Sequence, residues 1–173
     1  SYSFLTIKPI IYLANIDEEE LGKEDNEYVK LVKNYAEKEN AKVVSLCAKT
    51  EEDLSELDKD DKQEMLEALG LEHSGLDSLI TATYDILGLA TYFTVGKDEV
   101  RAWTFRKGMN AKECAGIIHT DFEKGFIRAE VISYTDLIDC GSELKVKEAG
   151  KARLEGKEYL MQDGDICHFR FNV

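Results

Sequence analysis

The sequence predicts two units in tandem, an α/β unit built on a parallel sheet followed by a small α+β unit. Three observations carry this. Short continuously apolar runs alternate with helical patterns as far as Leu87, and beyond it strand-like runs crowd together. Charge changes at the same place: residues 1–87 hold 9 Lys, 21 Asp plus Glu and no arginine, a net of −12. Residues 88–173 hold 13 Lys plus Arg against 14 acids, a net of −1, with all five arginines. Pro9 is the sole proline, so no proline-rich linker exists, and Leu87-Gly88-Leu89 is the natural boundary.

Composition narrows the class. With 43% apolar residues, a chain of 173 residues has the material for packed cores and is not disordered by composition. No apolar run approaches 18 residues, and no basic stretch precedes the apolar start, which argues against a membrane span or secretory signal. Cys47, Cys114, Cys140 and Cys167 are widely spaced without a CxxC, the pattern of reduced thiols rather than disulfides or zinc ligands. A soluble, cytoplasmic protein is expected. The acidic half repels nucleic acid, and neither DNA nor membrane is an expected partner.

In the first unit, Pro9–Ala14 reads as a strand covered on both faces. Asn26–Glu39 carries Tyr28, Leu31, Val32 and Tyr35 at helical spacing, with charges opposite. Val43–Cys47 is a second buried-type strand, and helices follow near Glu51–Leu69 and Leu76–Leu87. Leu54, Leu57, Met65, Leu66 and Leu69 read as a packing stripe, and the acids of Thr50–Asp61 as a solvated face lacking calcium-loop spacing. Two strands are too few to cover these helices, so part of a larger α/β domain is expected.

In the second unit, Thr91–Val95 and Val100–Phe105 read as a strand pair turning at Gly96-Lys97-Asp98. Asn110 is the expected N-cap of a helix Ala111–His119, and Gly125 the expected glycine C-cap before a strand Phe126–Ser133. An irregular segment with a short helix near Glu143–Gly150 follows. Last comes an expected hairpin, Tyr159–Met161 with Ile166–Phe171, turning at Gln162–Asp165.

Two motifs lie just beyond the first unit's strands, where open α/β sheets bind ligands. Ala14-Asn15-Ile16-Asp17-Glu18 stands where GTPases carry NKxD, and Cys47-Ala48-Lys49 where they carry SAK. No GxxxxGK[ST] phosphate loop occurs anywhere in the chain. The run Ile118–Glu130, IHTDFEKGFIRAE, and the ending DGDICHFRFNV complete the pattern. Together these residues closely resemble the YchF/Obg-like ATPase family of P-loop NTPases, along essentially the whole chain.

The resemblance implies that residues 1–87 are the C-terminal part of a GTPase-like domain, and residues 88–173 a β-grasp TGS domain. It implies ATP (or GTP) as cofactor in an intact parent, with Mg2+ supplied by elements preceding this chain. Asn15, Ile16, Glu18, Cys47 and Ala48 would surround the base. NKxD reads guanine through two hydrogen bonds to its aspartate; in NxxE, Ile16 replaces the lysine and Glu18 the aspartate, a variant that the family associates with ATP. A carboxylate facing adenine N1, an acceptor, would find no donor. Taken without the resemblance, Asn15 is as well explained as a cap of the strand-to-helix turn. The implied partner is the ribosome or RNA, or a translation-associated protein. Arg101, Arg106, Lys107, Lys124 and Arg128 are the candidate phosphate contacts. A non-catalytic RNA- or protein-binding module is the alternative, and the chain alone is expected not to hydrolyse nucleotide. His119, Asp121 and Glu123 read as cap and turn residues rather than as a metal or acid–base group.

Overall fold

Ile11–Asn15 (β1) and Lys42–Leu46 (β2) pair in parallel, with Ile11 opposite Lys42 and Asn15 opposite Leu46. The helix Glu27–Lys38 (α1) makes the crossover between them, started by Asn26, whose side chain accepts from the Val29 N–H at 2.9 Å. The computed structural model describes residues 4–96 and 99–172, and the chain divides into two units at Leu87/Gly88. Among the described residues, no helix is long and apolar enough to cross a membrane.

α1 turns Val29 and Ala36 inward, while Tyr28, Leu31 and Tyr35 are 70%, 64% and 53% exposed. Three of the four residues expected on its apolar side therefore face outward. Two tyrosines supply polar tips: the hydroxyls of Tyr12 and Tyr35 donate to Glu39 at 2.7 and 2.8 Å. These bonds hold the Glu39 carboxyl below its usual range. β1 is also more open than a doubly covered strand, with Leu13 half exposed.

The helix expected near Glu51–Leu69 is two helices, Ala48–Glu56 (α2) and Lys59–Ala68 (α3). Asp58 causes the break by accepting from the N–H groups of Asp60 and Asp61 at 3.0 and 3.1 Å, which starts a new helix. Gly75–Ile86 (α4) follows, capped by Ser74. Leu54 and Leu66 of the expected stripe are buried, whereas Leu57 is exposed.

The second unit contains Leu89–Val95 (β3), Val100–Arg106 (β4), Ala111–Ile118 (α5), Thr120–Lys124 (α6) and Phe126–Ser133 (β5). Tyr134–Cys140 (α7), Glu143–Glu148 (α8), Arg153–Glu155 (β6) and Asp165–Phe171 (β7) complete it. Its sheet has the order β4-β3-β7-β5-β6. β3 runs antiparallel to β4 and parallel to β7, and β5 is antiparallel to both β7 and β6. Of the expected β3–β4 turn, Lys97 and Asp98 lie outside the described residues.

Three expectations are corrected here. The helix starting at Ala111 ends at Ile118, because His119 is extended and its side chain caps α6. α7 replaces part of a segment expected to be irregular, started by Ser133 and stopped by Gly141 in the left-handed region. The hairpin of Tyr159–Met161 with β7 does not form. The Tyr159 carbonyl accepts from the Ala111 N–H at 2.8 Å and the Met161 N–H donates to the Met109 carbonyl at 3.1 Å, so this segment is tied to the α5 approach. β7 inserts between β3 and β5 instead, and β6 takes the edge.

The sheet buries residues on both faces, as alternation along β5 and β7 shows. Ala129, Val131 and Cys167 join Tyr92, Phe105, Ala111, Cys114 and Met161 in one core cluster. Ile132 and Ile166 join Val146 of α8 on the other face. Within the larger cluster the Tyr92 hydroxyl donates to the Cys114 carbonyl at 2.8 Å. Burial pushes the Cys114 thiol up to about 12 and the Cys167 thiol up as well. All four cysteines are free thiols.

Gly125 serves a purpose other than the expected left-handed cap. Its φ is −89°, but a Cβ would lie 1.9 Å from the Asn172 carbonyl oxygen. The Asn172 N–H donates to the Gly125 carbonyl at 2.9 Å, so two backbones meet where no side chain fits. Gly125→Ala is expected to lower unfolding free energy by about 1–3 kcal/mol through overpacking. Gly156→Ala, whose Cβ would meet nothing within 4 Å, should stay within about 0.5 kcal/mol. Urea denaturation of the two variants checks the contrast.

Candidate functional site

Parallel pairing brings the C-terminal ends of β1 and β2 to one edge of the first unit. A pocket of about 470 Å³ opens there, lined by Asn15, Ile16, Asp17, Glu18, Glu19, Cys47 and Lys49. Four of the five residues singled out from sequence (Asn15, Ile16, Glu18 and Cys47) thus line one cavity. Ala48, the fifth, enters through its backbone, donating its N–H to the Asn15 side-chain oxygen at 2.9 Å. That bond commits the side-chain oxygen of Asn15 to joining the two strand exits, and among the described residues no hydrogen bond takes up its amide nitrogen.

The Ile16 N–H donates to the Leu46 carbonyl at 2.9 Å, extending the β1–β2 ladder one step past the strand. Asp17–Glu20 then winds into a turn closed by the Glu20 carboxylate, which accepts from the Asp17 N–H at 3.3 Å and from Asn26 at 2.8 Å. Glu18 is held on the wall by Lys49 at 3.5 Å. Cys47 is 5% exposed and stands directly before α2. Sequence reasoning left Lys49 out of the site, although it is the third residue of the SAK-like triplet.

The candidate cations of the second unit form no single patch. Arg101 lies over the Trp103 ring at 4.2 Å, and Trp103 packs against the larger core cluster. Arg128 alternates with buried Ala129 and so points to the opposite face. Arg106 shares that outer face with Arg128, because its neighbour Phe105 is buried in the larger cluster. The strand registers, however, set Arg106 and Arg128 about eight residues apart along the sheet, roughly 26 Å. Lys107 follows β4, and Lys124 closes the last turn of α6. Arg170 lies directly opposite Arg128 and was missed, since only the register reveals the pair.

His119, Asp121 and Glu123 do not converge as a metal site. The His119 Nδ1 accepts from the Asp121 N–H at 3.2 Å, and the Glu123 side chain packs against Gly116. Among the described residues, no group of three or more His, Cys, Asp or Glu is arranged to hold a metal ion.

Asn15→Ala is expected to leave the Ala48 N–H without its partner at a cost of about 1 kcal/mol. Amide exchange at Ala48 should quicken about fivefold, with exchange in β7 unchanged.

Comparison with known proteins adds five findings. A family model described as YchF-GTPase_C, a protein of unknown function, matches residues 89–172. "Ribosome-binding ATPase YchF" of Bacillus subtilis (strain 168) is 59% identical over 170 residues, covering 98% of this chain and 46% of that protein. The protein of the same description from Escherichia coli O157:H7 is 52% identical over 171 residues, covering 99% and 47%. The solved structure of the Schizosaccharomyces pombe YchF GTPase superposes with a TM-score of 0.82 at 39% identity, covering 96% of this chain and 44% of that one. A GTP-binding protein from Pyrococcus horikoshii OT3 shares the fold at a TM-score of 0.65 and 21% identity, covering 95% and 46%. The chain spans about half the length of the curated relatives it matches, and along nearly the whole of its own length it is similar to YchF proteins.

Proposed function

We propose that the chain is the C-terminal portion of a cytoplasmic, ribosome-associated nucleoside triphosphatase. Its first unit is the end of a GTPase-like domain and reads the base. Its second is a β-grasp TGS module that docks on the ribosome, through RNA or a translation-associated protein. The observation that best supports base reading is the pocket at the ends of β1 and β2, lined by Asn15, Ile16, Glu18 and Cys47. The relatives' printed descriptions, which name ribosome binding and an ATPase, support the assignment of the whole.

The polar inventory of the pocket favours adenine. Because the Ile16 N–H is bonded to Leu46, Ile16 offers a base only its carbonyl. A carbonyl accepts from the 6-amino group of adenine and repels the 6-oxo group of guanine. The Asn15 amide nitrogen is a donor for a ring nitrogen. Glu18 faces a cation, Lys49 at 3.5 Å, in place of the base donors that the NKxD aspartate accepts from. Phosphates and Mg2+ would be held by a phosphate loop outside this chain, supplying the charge stabilisation that hydrolysis requires. The chain by itself binds and does not hydrolyse.

In a full-length protein carrying this chain, Ile16→Lys with Glu18→Asp rebuilds NKxD and should shift the ATP-to-GTP preference toward GTP by about tenfold or more, since each bond to a charged acceptor is worth about 1.5–3 kcal/mol. Asn15→Ala should weaken both nucleotides. Competition binding reads both results, and an unchanged ratio rejects the base assignment.

The alternative, a non-catalytic binding module, is favoured for the chain taken alone, which has no GxxxxGK[ST]. Ribosome cosedimentation of the chain should fall, and its salt dependence flatten, when Arg101, Arg106 and Arg128 are replaced together by Gln. Single replacements identify which face docks. Binding with an unchanged salt slope indicates a protein contact instead.

A further inference from the structure

The free edge of β2 borders a groove larger than the pocket at the strand ends. About 660 Å³ in volume, it is lined by the consecutive residues Lys42, Val43, Val44 and Ser45 on one side and by α4 on the other. The hydrogen bonds to β1 fix which backbone groups face it. The Lys42 N–H donates to the Ile10 carbonyl and the Leu46 carbonyl accepts from Ile16, so alternate residues 42, 44 and 46 are turned toward β1. Val43 and Ser45 therefore aim their N–H and C=O groups outward, and among the described residues neither finds a backbone partner. The Ser45 hydroxyl is buried and likewise unpartnered. Such groups are normally paired, and a row of them on a strand edge is a template for another extended chain.

Charge selects the occupant. The groove's two lysines and two of its three aspartates offset one another, Lys33 with Asp25 and Lys42 with Asp85 at 2.9 Å. Asp77 adds a further carboxylate, and α4 carries no Lys or Arg. The unit around it holds a net charge of −12. We propose that the groove between the outward edge of β2 and α4 is a strand-addition site for an extended, lysine-rich segment of a partner protein. Val43 and Ser45 supply the main-chain hydrogen bonds and the surrounding carboxylates the preference for cations. An acidic unit thereby acquires a contact that is not nucleic acid.

The test titrates the 15N-labelled chain with an alternating Lys-Val peptide of about six residues, an ordinary strand length. Amide shifts are expected at Val43–Ser45 and along Asp77–Asp85, with affinity falling at least tenfold when Glu replaces each Lys. Val43→Pro removes an outward N–H without cutting the β1 ladder, and should also weaken binding tenfold or more. N-methylation of alternate peptide amides in the pairing register tests the same bonds with the protein unaltered and should abolish the shifts. Shifts located elsewhere, equal binding of the Glu peptide, equal binding of the methylated peptide, or none at millimolar peptide would each overturn the proposal.

Discussion

Parallel pairing of β1 with β2 is the constraint on which the first unit depends. In an antiparallel pair the two exits would lie at opposite ends of the ribbon; run in parallel, both chains leave at one edge. Asn15 and Ala48, 33 positions apart in sequence, are thereby close enough for one hydrogen bond. The ladder sets polarity as well. It consumes the Ile16 N–H and leaves a carbonyl, and it turns Val43 and Ser45 toward the groove.

The second unit solves a different problem, burying a sheet on both faces with few residues. Asp165, at the start of β7, is 2% exposed and accepts from the Tyr159 hydroxyl and the Gln162 N–H, each at 2.9 Å, with Arg153 at 3.5 Å. A buried carboxylate is tolerated because it is so fully partnered. These bonds join the irregular approach to β7 with edge strand β6. On the outer face, Lys147 and Arg170 flank Glu130 and hold its carboxyl below the usual range. Cations are thus drawn into local pairs, which is why the arginines of this unit do not sum to one field.

Elements set by local pattern were legible in the sequence, and those set by remote partners were not. β1, β2 and β5 follow from short apolar runs, and the start of α5 from Asn110, whose side chain accepts from Glu113 at 3.0 Å. The break at Asp58 was available as an acid preceding two more acids but was hidden by the continuing leucine pattern. Tyr159-Leu160-Met161 reads as a short apolar strand run; only the bond to Met109 shows that Met161 belongs to the α5 approach. In the candidate site, strand-end placement revealed Asn15 and Cys47. The Glu18–Lys49 pair and the Arg128–Arg170 opposition depend on spatial register, which no single-sequence pattern encodes.

The position of β7 has a consequence for the order in which the second unit takes shape. The strand at the centre of the sheet is the last in sequence, clasped at its far end where Asn172 meets Gly125. Until it is present, β3–β4 and β5–β6 are separate ribbons, and Ala129, Val131 and Ile132 lack their cross-strand partners Phe169, Cys167 and Ile166. Contacts between β3 and β7 close a loop of some seventy residues, a non-local pairing whose entropy is lost before its gain arrives. The first unit is made earlier, and β7 adds no strand to its sheet. During synthesis the chain therefore passes through a stage with its acidic half already made and its second half still waiting for its keystone.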